Sequence, residues 1–276
     1  MAQPTVRSGG RAGRDLPAAT AVGVGLLALL AASLLWFRPA FVVIAMVASL
    51  LAVRELANAL AAHQRHVVRE IAYPAALIIP GMAYAFSPEV SLGIFAATVV
   101  VLAAVRLGRG TDGYFDDLAA SVLVIAYVPL LVGFATAMSA GVHGAERVIA
   151  MVLLTAGNDT GGYAAGVFFG KHPIAPSISP KKSWEGLVGS LIAQALIGGL
   201  IVPRLLDVPA WQGIALGLVM SVTATVGDYA ESAIKRDLGV KDMSHALPGH
   251  GGFMDRLDSL LINALVAWIA FTWMGV

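Results

Sequence analysis

Apolar residues occupy this chain in long blocks, with polar residues gathered between them. A helix crossing a bilayer needs about 20 mostly apolar residues, because the hydrocarbon core is about 30 Å thick and each residue rises 1.5 Å. Nine blocks approach that length, at residues 19–36, 40–60, 72–87, 89–105, 118–140, 148–169, 186–203, 210–232 and 257–275. The third and fourth are short and are parted only by Ser87, Pro88 and Glu89. The pattern predicts an all-α, polytopic integral membrane helix bundle with about nine transmembrane helices. Residues 1–18, polar and rich in Gly and Arg, read as a disordered cytoplasmic tail. Residues 19–140 read as the N-terminal transmembrane helices, and residues 141–276 as a C-terminal catalytic transmembrane region.

Composition agrees. Of 276 residues, 58% are hydrophobic and 13% charged, against about 45–50% and about 25% in soluble domains. There is no cysteine, which excludes disulfides and thiolate metal sites. The net charge of +1 conceals an uneven distribution. With the N-terminus in the cytoplasm, the inner segments hold 14 of the 18 Lys and Arg residues. The outer loops hold Arg38, Arg147 and Arg204, and Arg54 lies within the second span. This asymmetry predicts a cytoplasmic N-terminus and an odd number of spans. The expected location is the cell's inner (plasma) membrane, multi-pass, with the chemistry on the cytoplasmic face. Membrane lipids are the expected surroundings, no nucleic-acid partner is expected, and a homodimer is left open.

The polar stretches around residues 170–185 and 233–256 carry the candidate chemistry. Asp228, Glu231, Ser232 and Lys235 stand at i, i+3, i+4 and i+7, on one helical face. Asp255 and Asp258 share a face at the start of the ninth span. Carboxylates at membrane depth are costly and mark functional candidates, with Asp159 beside Asn158 among them. The helix dipole alone accounts for one acid at a helix start, but not for five in so short a tract. Lys235, Arg236, Lys241 and Arg256 are interleaved with these acids and Asp242. Hard oxygen ligands with basic residues suit phosphoryl or nucleotidyl transfer assisted by Mg²⁺. Gly251 and Gly252 permit a backbone that cradles an anion, and His250 either donates to a phosphate or holds the loop. Lys181 and Lys182 either grip phosphates or simply satisfy the positive-inside rule. Gly162, Gly166 and Gly170 recur every four residues as a helix-packing face. Asp112, Asp116 and Asp117 read as solvated loop acids. The P-loop spacing fails at Gly166 to Lys171, and the histidines match no familiar zinc pattern.

Ser232, Lys235 and Arg236, then Lys241 and Asp242, then Pro248, Gly249, His250, Gly251 and Gly252, then Asp255, Arg256 and Asp258 resemble the signature of the phosphatidate cytidylyltransferases. Ser179 to Gly186, reading SPKKSWEG, resembles a second motif of that family. The resemblance covers residues 157–264, and the sixth span departs slightly from it around Asn158 and Asp159. It implies an all-helical membrane enzyme that transfers a cytidylyl group from CTP to phosphatidic acid, giving CDP-diacylglycerol and pyrophosphate. It further implies catalytic roles for Asp228, Asp255, Asp258 and Lys235. Divalent metal would bind at Asp228 and Asp255, with Glu231 and Asp258 in support. Substrate contacts would come from Lys181, Lys182, Ser232, Arg236, Lys241, His250, Gly251, Gly252 and Arg256. Mg²⁺ is the expected cofactor, with a second cation left open. Two alternatives remain at this stage. One is another CTP-dependent lipid enzyme, of the polyprenol kinase or CDP-archaeol synthase type. The other is an ion-coupled transporter, although no internal repeat supports it.

Overall fold

The chain is described here from a computed structural model covering residues 16–244, 246 and 251–276. The tail expected at 1–18 lies outside the described residues up to residue 15, and a helix already begins at Leu16. Helices cover all nine apolar blocks: α1 (Leu16–Trp36), α2 (Arg38–Ala61), α3 (Arg69–Ala85), α4 (Pro88–Leu107), α5 (Tyr114–Met138), α6 (Gly144–Phe169), α7 (Trp184–Leu206), α8 (Ala210–Asp237) and α9 (Met254–Met274). In hydrocarbon every backbone N–H and C=O must find its partner within the segment, so apolar blocks of this length become helices. Six of the nine are long and apolar enough to cross a membrane by length and composition: α2, α4, α5, α7, α8 and α9. The other three are α1, with an apolar part at Gly23–Trp36, α3, with 17 residues, and α6, whose centre carries Asn158 and Asp159.

Prolines shape several helices. α3 contains Pro74 and Pro80. α5 widens into one π-turn at Ala126–Leu130, beside Pro129, since proline offers no N–H to the helical ladder. α7 breaks at Ile201, just before Pro203.

Two apolar cores result. Ala52, Val53, Leu56, Ile79, Val124, Ile125 and Val128 form one between α2, α3 and α5, joined by Met254 and Leu261 of α9. Phe41, Met138, Leu154, Met220 and Phe271 belong to the second, which ties α2 and α5 to α6, α8 and α9. Outward-facing Val100, Leu123, Val167, Leu196, Val222 and Ile269 are exposed, which is the surface a lipid-embedded bundle presents.

One departure from an all-helical chain is a two-stranded antiparallel hairpin, β1 (Pro173–Ala175) and β2 (Ser179–Ser183), where a plain loop is predicted. Another concerns Asp117. It is buried on α5, accepting Arg106 Nε at 2.9 Å and the His66 N–H at 2.7 Å. It is therefore a structural anchor rather than a solvated loop acid, because Arg106 is itself buried and needs a counter-charge.

The polar connections gather at one end of the bundle. Arg65 pairs with Asp237 at 3.1 Å, and Arg109 pairs with Glu70 at 3.1 Å. Arg236 Nε donates to the Ile178 carbonyl at 3.2 Å. Arg38 marks the other end, reaching the carbonyls of Gly141 and Val142.

Candidate functional site

The helices that carry the candidate residues pack unusually closely. On α6 and α7 a Cβ added to Gly161 would sit 2.8 Å from the Gly189 carbonyl oxygen, and one added to Gly186 would sit 3.0 Å from that of Gly162. On α7 and α8, Gly198 and Gly213 each face the other's carbonyl with no room for a methyl group. Small residues let backbones approach where lipid supplies no hydrophobic drive. Of the predicted every-fourth-residue face, Gly162 lies on this seam. Gly166 faces Gly186 on the same seam, with ordinary van der Waals room, the nearest neighbour of an added Cβ lying 3.8 Å away. The seam also takes in Gly157 and Gly161, where an added Cβ would meet Ile197 and Ala193 of α7.

Within the bundle, polar side chains satisfy one another. Ser221 donates to Asn158 Oδ1 at 2.8 Å, and Ser190 donates to the Asn158 carbonyl at 2.7 Å. Asn263 donates to Thr155 at 3.0 Å and accepts from Thr223 at 2.7 Å. These bonds fix α6, α7, α8 and α9 beneath the charged residues.

The second motif resolves into separate tasks. Ser183 caps α7 by accepting the Gly186 N–H at 3.1 Å. Glu185 accepts the N–H groups of Lys171 and His172 at 3.1 and 3.2 Å, which pins the root of the hairpin. Gly186 enters the helix seam. That leaves Lys181 and Lys182 on β2, directed to a cavity of about 390 Å³. Asn158, Asp159 and Asp228 also line this cavity, together with the apolar side chains of Tyr163, Val167, Ile174 and Leu187. Lys182 is paired with Asp228, and its ammonium lies 5.0 Å from the centre of the Tyr229 ring. Burial pushes the Lys182 ammonium below the ordinary lysine range, while the charges of Asp159, Asp258 and Glu231 oppose that shift.

Beside this pair stands a second one. Lys235 contacts Glu231 one turn earlier on α8 and reaches Asp255 Oδ1 on α9 at 3.0 Å. Asp255 is nearly saturated, since its Oδ2 also accepts the N–H groups of Met243 at 3.0 Å and Gly252 at 2.8 Å. The glycine-bearing connection is thus tied to the start of α9. Gly227 permits the close crossing of α8 and α9, since a Cβ there would lie 3.0 Å from the Asp258 carbonyl. The Asp258 carboxylate accepts the neighbouring Ser259 N–H at 2.7 Å. Arg256 is exposed at the start of α9. Lys241 is exposed, Ser232 is partly buried, and Gly251 takes the left-handed φ of +79°. His250 lies outside the described residues.

Two residues of the N-terminal half belong here as well. Glu55 of α2 accepts from Ser244 and from the first N–H groups of α9. Its signal was present in the sequence, as a carboxylate within an apolar span. Tyr127 lies on the π-turn of α5, with a buried hydroxyl that has no partner among the described residues. Pro129 marks the turn in the sequence, but nothing in the sequence shows that it brings Tyr127 into the buried interior.

Among the described residues no three His, Asp or Glu side chains converge on a point that would hold a metal unaided. A cation that brings its own ligands places a smaller demand. Mg²⁺ takes one or two carboxylates, keeps waters and is completed by substrate phosphates. Asp228 lines the cavity and is paired with Lys182, an ammonium that arriving phosphates would draw away. Glu231 and Asp255 are likewise paired with a lysine, Lys235, so the acids of the two clusters are held by ammonium groups of the kind that bind phosphates.

A model of the cytidylyltransferase family matches residues 17–274. The chain is 38% identical over 286 residues to a phosphatidate cytidylyltransferase of Mycobacterium leprae (strain TN), spanning 95% of this chain and 89% of that protein. It is 39% identical over 283 residues to one of Mycobacterium tuberculosis (strain ATCC 25618 / H37Rv), spanning 95% and 84%. A phosphatidate cytidylyltransferase of Staphylococcus saprophyticus is 38% identical over 149 residues, spanning 53% of this chain and 56% of that protein.

Proposed function

The chain belongs to the cytidylyltransferase family, and from that premise we propose that it transfers the cytidylyl group of CTP to phosphatidic acid, giving CDP-diacylglycerol and pyrophosphate. A phosphate oxygen of the lipid attacks the α-phosphorus of CTP. The bond from that phosphorus to the oxygen bridging to the β-phosphate breaks, and pyrophosphate leaves with the electron pair. The nucleophile is already an anion, so no general base and no covalent enzyme intermediate are required. Catalysis then rests on positioning and on neutralising charge.

The observation that carries the reading is the pairing of Lys182 with Asp228 at the wall of a cavity whose other sides are largely apolar. An amphiphile with a phosphate head and acyl tails has matching chemistry. Lys181, Lys182 and Lys235 supply ammonium groups for phosphate oxygens, and Arg236, Lys241 and Arg256 supply further positive charge. Lys235 is held ready by Glu231 and Asp255. Asp228 and Asp255 would hold Mg²⁺, with Glu231 and Asp258 in support. When bound, that ion withdraws charge from the attacked phosphorus and the leaving group. The gathering of the basic connections at the end of the bundle that bears the site supports a cytoplasmic active face in the plasma membrane.

The test is direct. Purified protein in detergent is given labelled CTP, Mg²⁺ and phosphatidic acid, and both pyrophosphate and a CDP-lipid are sought. The expected result is product from the wild type and almost none from Asp255→Asn. Turnover only with a polyprenol or an ether-lipid acceptor would reassign the substrate, and the absence of any CTP-dependent product would overturn the reading.

A further inference from the structure

The N-terminal helices bear none of the motif residues, yet one of their side chains reaches the most densely charged part of the molecule. Glu55 lies in α2 near the end that bears the polar connections, and only 8% of it is exposed. Its Oε1 accepts Ser244 Oγ at 2.6 Å and the Phe253 N–H at 3.0 Å, and its Oε2 accepts the Met254 N–H at 2.9 Å. The first N–H groups of any helix lack partners inside the helix. Here two of them are satisfied by a carboxylate nearly two hundred residues away in sequence, and the helix dipole favours its negative charge. The preceding backbone is built around it. A Cβ on Gly252 would collide with the Glu55 carboxylate and lie 2.8 Å from Ser244 Oγ, so only glycine fits there.

A second carboxylate completes the arrangement. Asp255 accepts the N–H groups of Met243 and Gly252. The adjacent residues Met243 and Ser244 are therefore held by Asp255 and Glu55 respectively, and so are Gly252 and Phe253. Glu55 is the only one of the two that comes from outside the motif region. It fixes where α9 starts, and with it the direction in which Asp255, Arg256 and Asp258 leave the helix.

We propose that Glu55 is a positioning residue for nucleotide transfer: by clamping Ser244, Phe253 and Met254 it sets the α9 entry in the geometry that receives the CTP phosphates. This rests on the reaction proposed above. Glu55→Gln preserves size but offers a single acceptor oxygen. In either amide orientation an NH₂ group then faces a donor, either Met254 N–H or the Ser244 and Phe253 pair.

Two measurements test it, each with Ser49→Ala as a control, a buried position on the same helix whose hydroxyl has no partner among the described residues. The first is hydrogen–deuterium exchange in nucleotide-free protein. Exchange at the Phe253 and Met254 amides should rise in Glu55→Gln, with α8 unchanged, and stay at the wild-type level in Ser49→Ala. The second is steady-state kinetics with each substrate varied. The kcat/KM for CTP should fall about tenfold to a hundredfold, the equivalent of one or two charge-assisted hydrogen bonds. The KM for phosphatidic acid should move less than twofold. Unchanged exchange in Glu55→Gln overturns the proposal whether or not the wild type turns over. So does a parallel loss for both substrates with a lowered unfolding temperature, which would make Glu55 merely structural. A wild type that fails to use CTP sinks the reaction proposed above instead, and the exchange result then decides the clamp alone.

Discussion

Replacing Lys235 with methionine should expose how the two buried acids beside it are tolerated. Only 16% of the Lys235 side chain is exposed, against 0% for Glu231 and 4% for Asp255. The cluster holds two carboxylates and one ammonium. Removing the ammonium leaves both acids buried side by side, and among the described residues neither Glu231 oxygen has another hydrogen-bond donor. Breaking a buried ion pair from one side costs about 3–5 kcal/mol. For a chain of this size that corresponds to a loss of about 6–20 °C in unfolding midpoint, taking about 2–4 °C per kcal/mol. Asp255 keeps its two backbone donors, so most of the cost falls on Glu231. The double variant Lys235→Met, Glu231→Gln should therefore recover at least half of the lost stability while remaining inactive, since the phosphate-binding ammonium is still missing. The assay is thermal unfolding in one detergent for the wild type, both single variants and the double, alongside CTP turnover. A Lys235→Met protein as stable as the wild type, or a double variant no more stable than Lys235→Met, would refute the reasoning.

Other substitutions separate charge from scaffold. Lys182→Met should lower turnover at least a hundredfold while costing about 1 kcal/mol or less of stability, because its pair with Asp228 is partly exposed; turnover and unfolding midpoint measured together decide this. Gly189→Leu should destabilise by about 1–3 kcal/mol or prevent folding, because a side chain there would overlap Ala165 and the Gly161 carbonyl; monodispersity on gel filtration and the unfolding midpoint report it, with Gly93→Leu in open space as the tolerated control. Asp117→Asn should cost about 3–5 kcal/mol by leaving buried Arg106 without its counter-charge, yet leave the KM for CTP within twofold, because Asp117 anchors the far side of α5.

The sequence by itself determined which segments are helical and where the chemistry gathers. Hydrocarbon cannot satisfy a bare peptide group, so blocks such as 210–232 and 257–275 had one available structure, and their ranges agree closely with α8 and α9. Helical periodicity placed Glu231 and Lys235 on one face of α8, and they do meet. Motif residues included Lys182 and Asp255, and helical spacing singled out Asp228. Tertiary structure alone decided which charges pair between one element and another. Lys182 meets Asp228 because a hairpin, unmarked by any periodicity, turns β2 back toward α8. Asp117 is an anchor because α4 and α5 fold Arg106 against it. Glu55 reaches the start of α9 only through the way α2 packs against the catalytic helices. Helix formation depends on neighbours a few residues apart and on the solvent, both written in a linear pattern. The pairing of buried charges depends on crossing angles and on the glycines that permit close approach, and these exist only once the helices have packed.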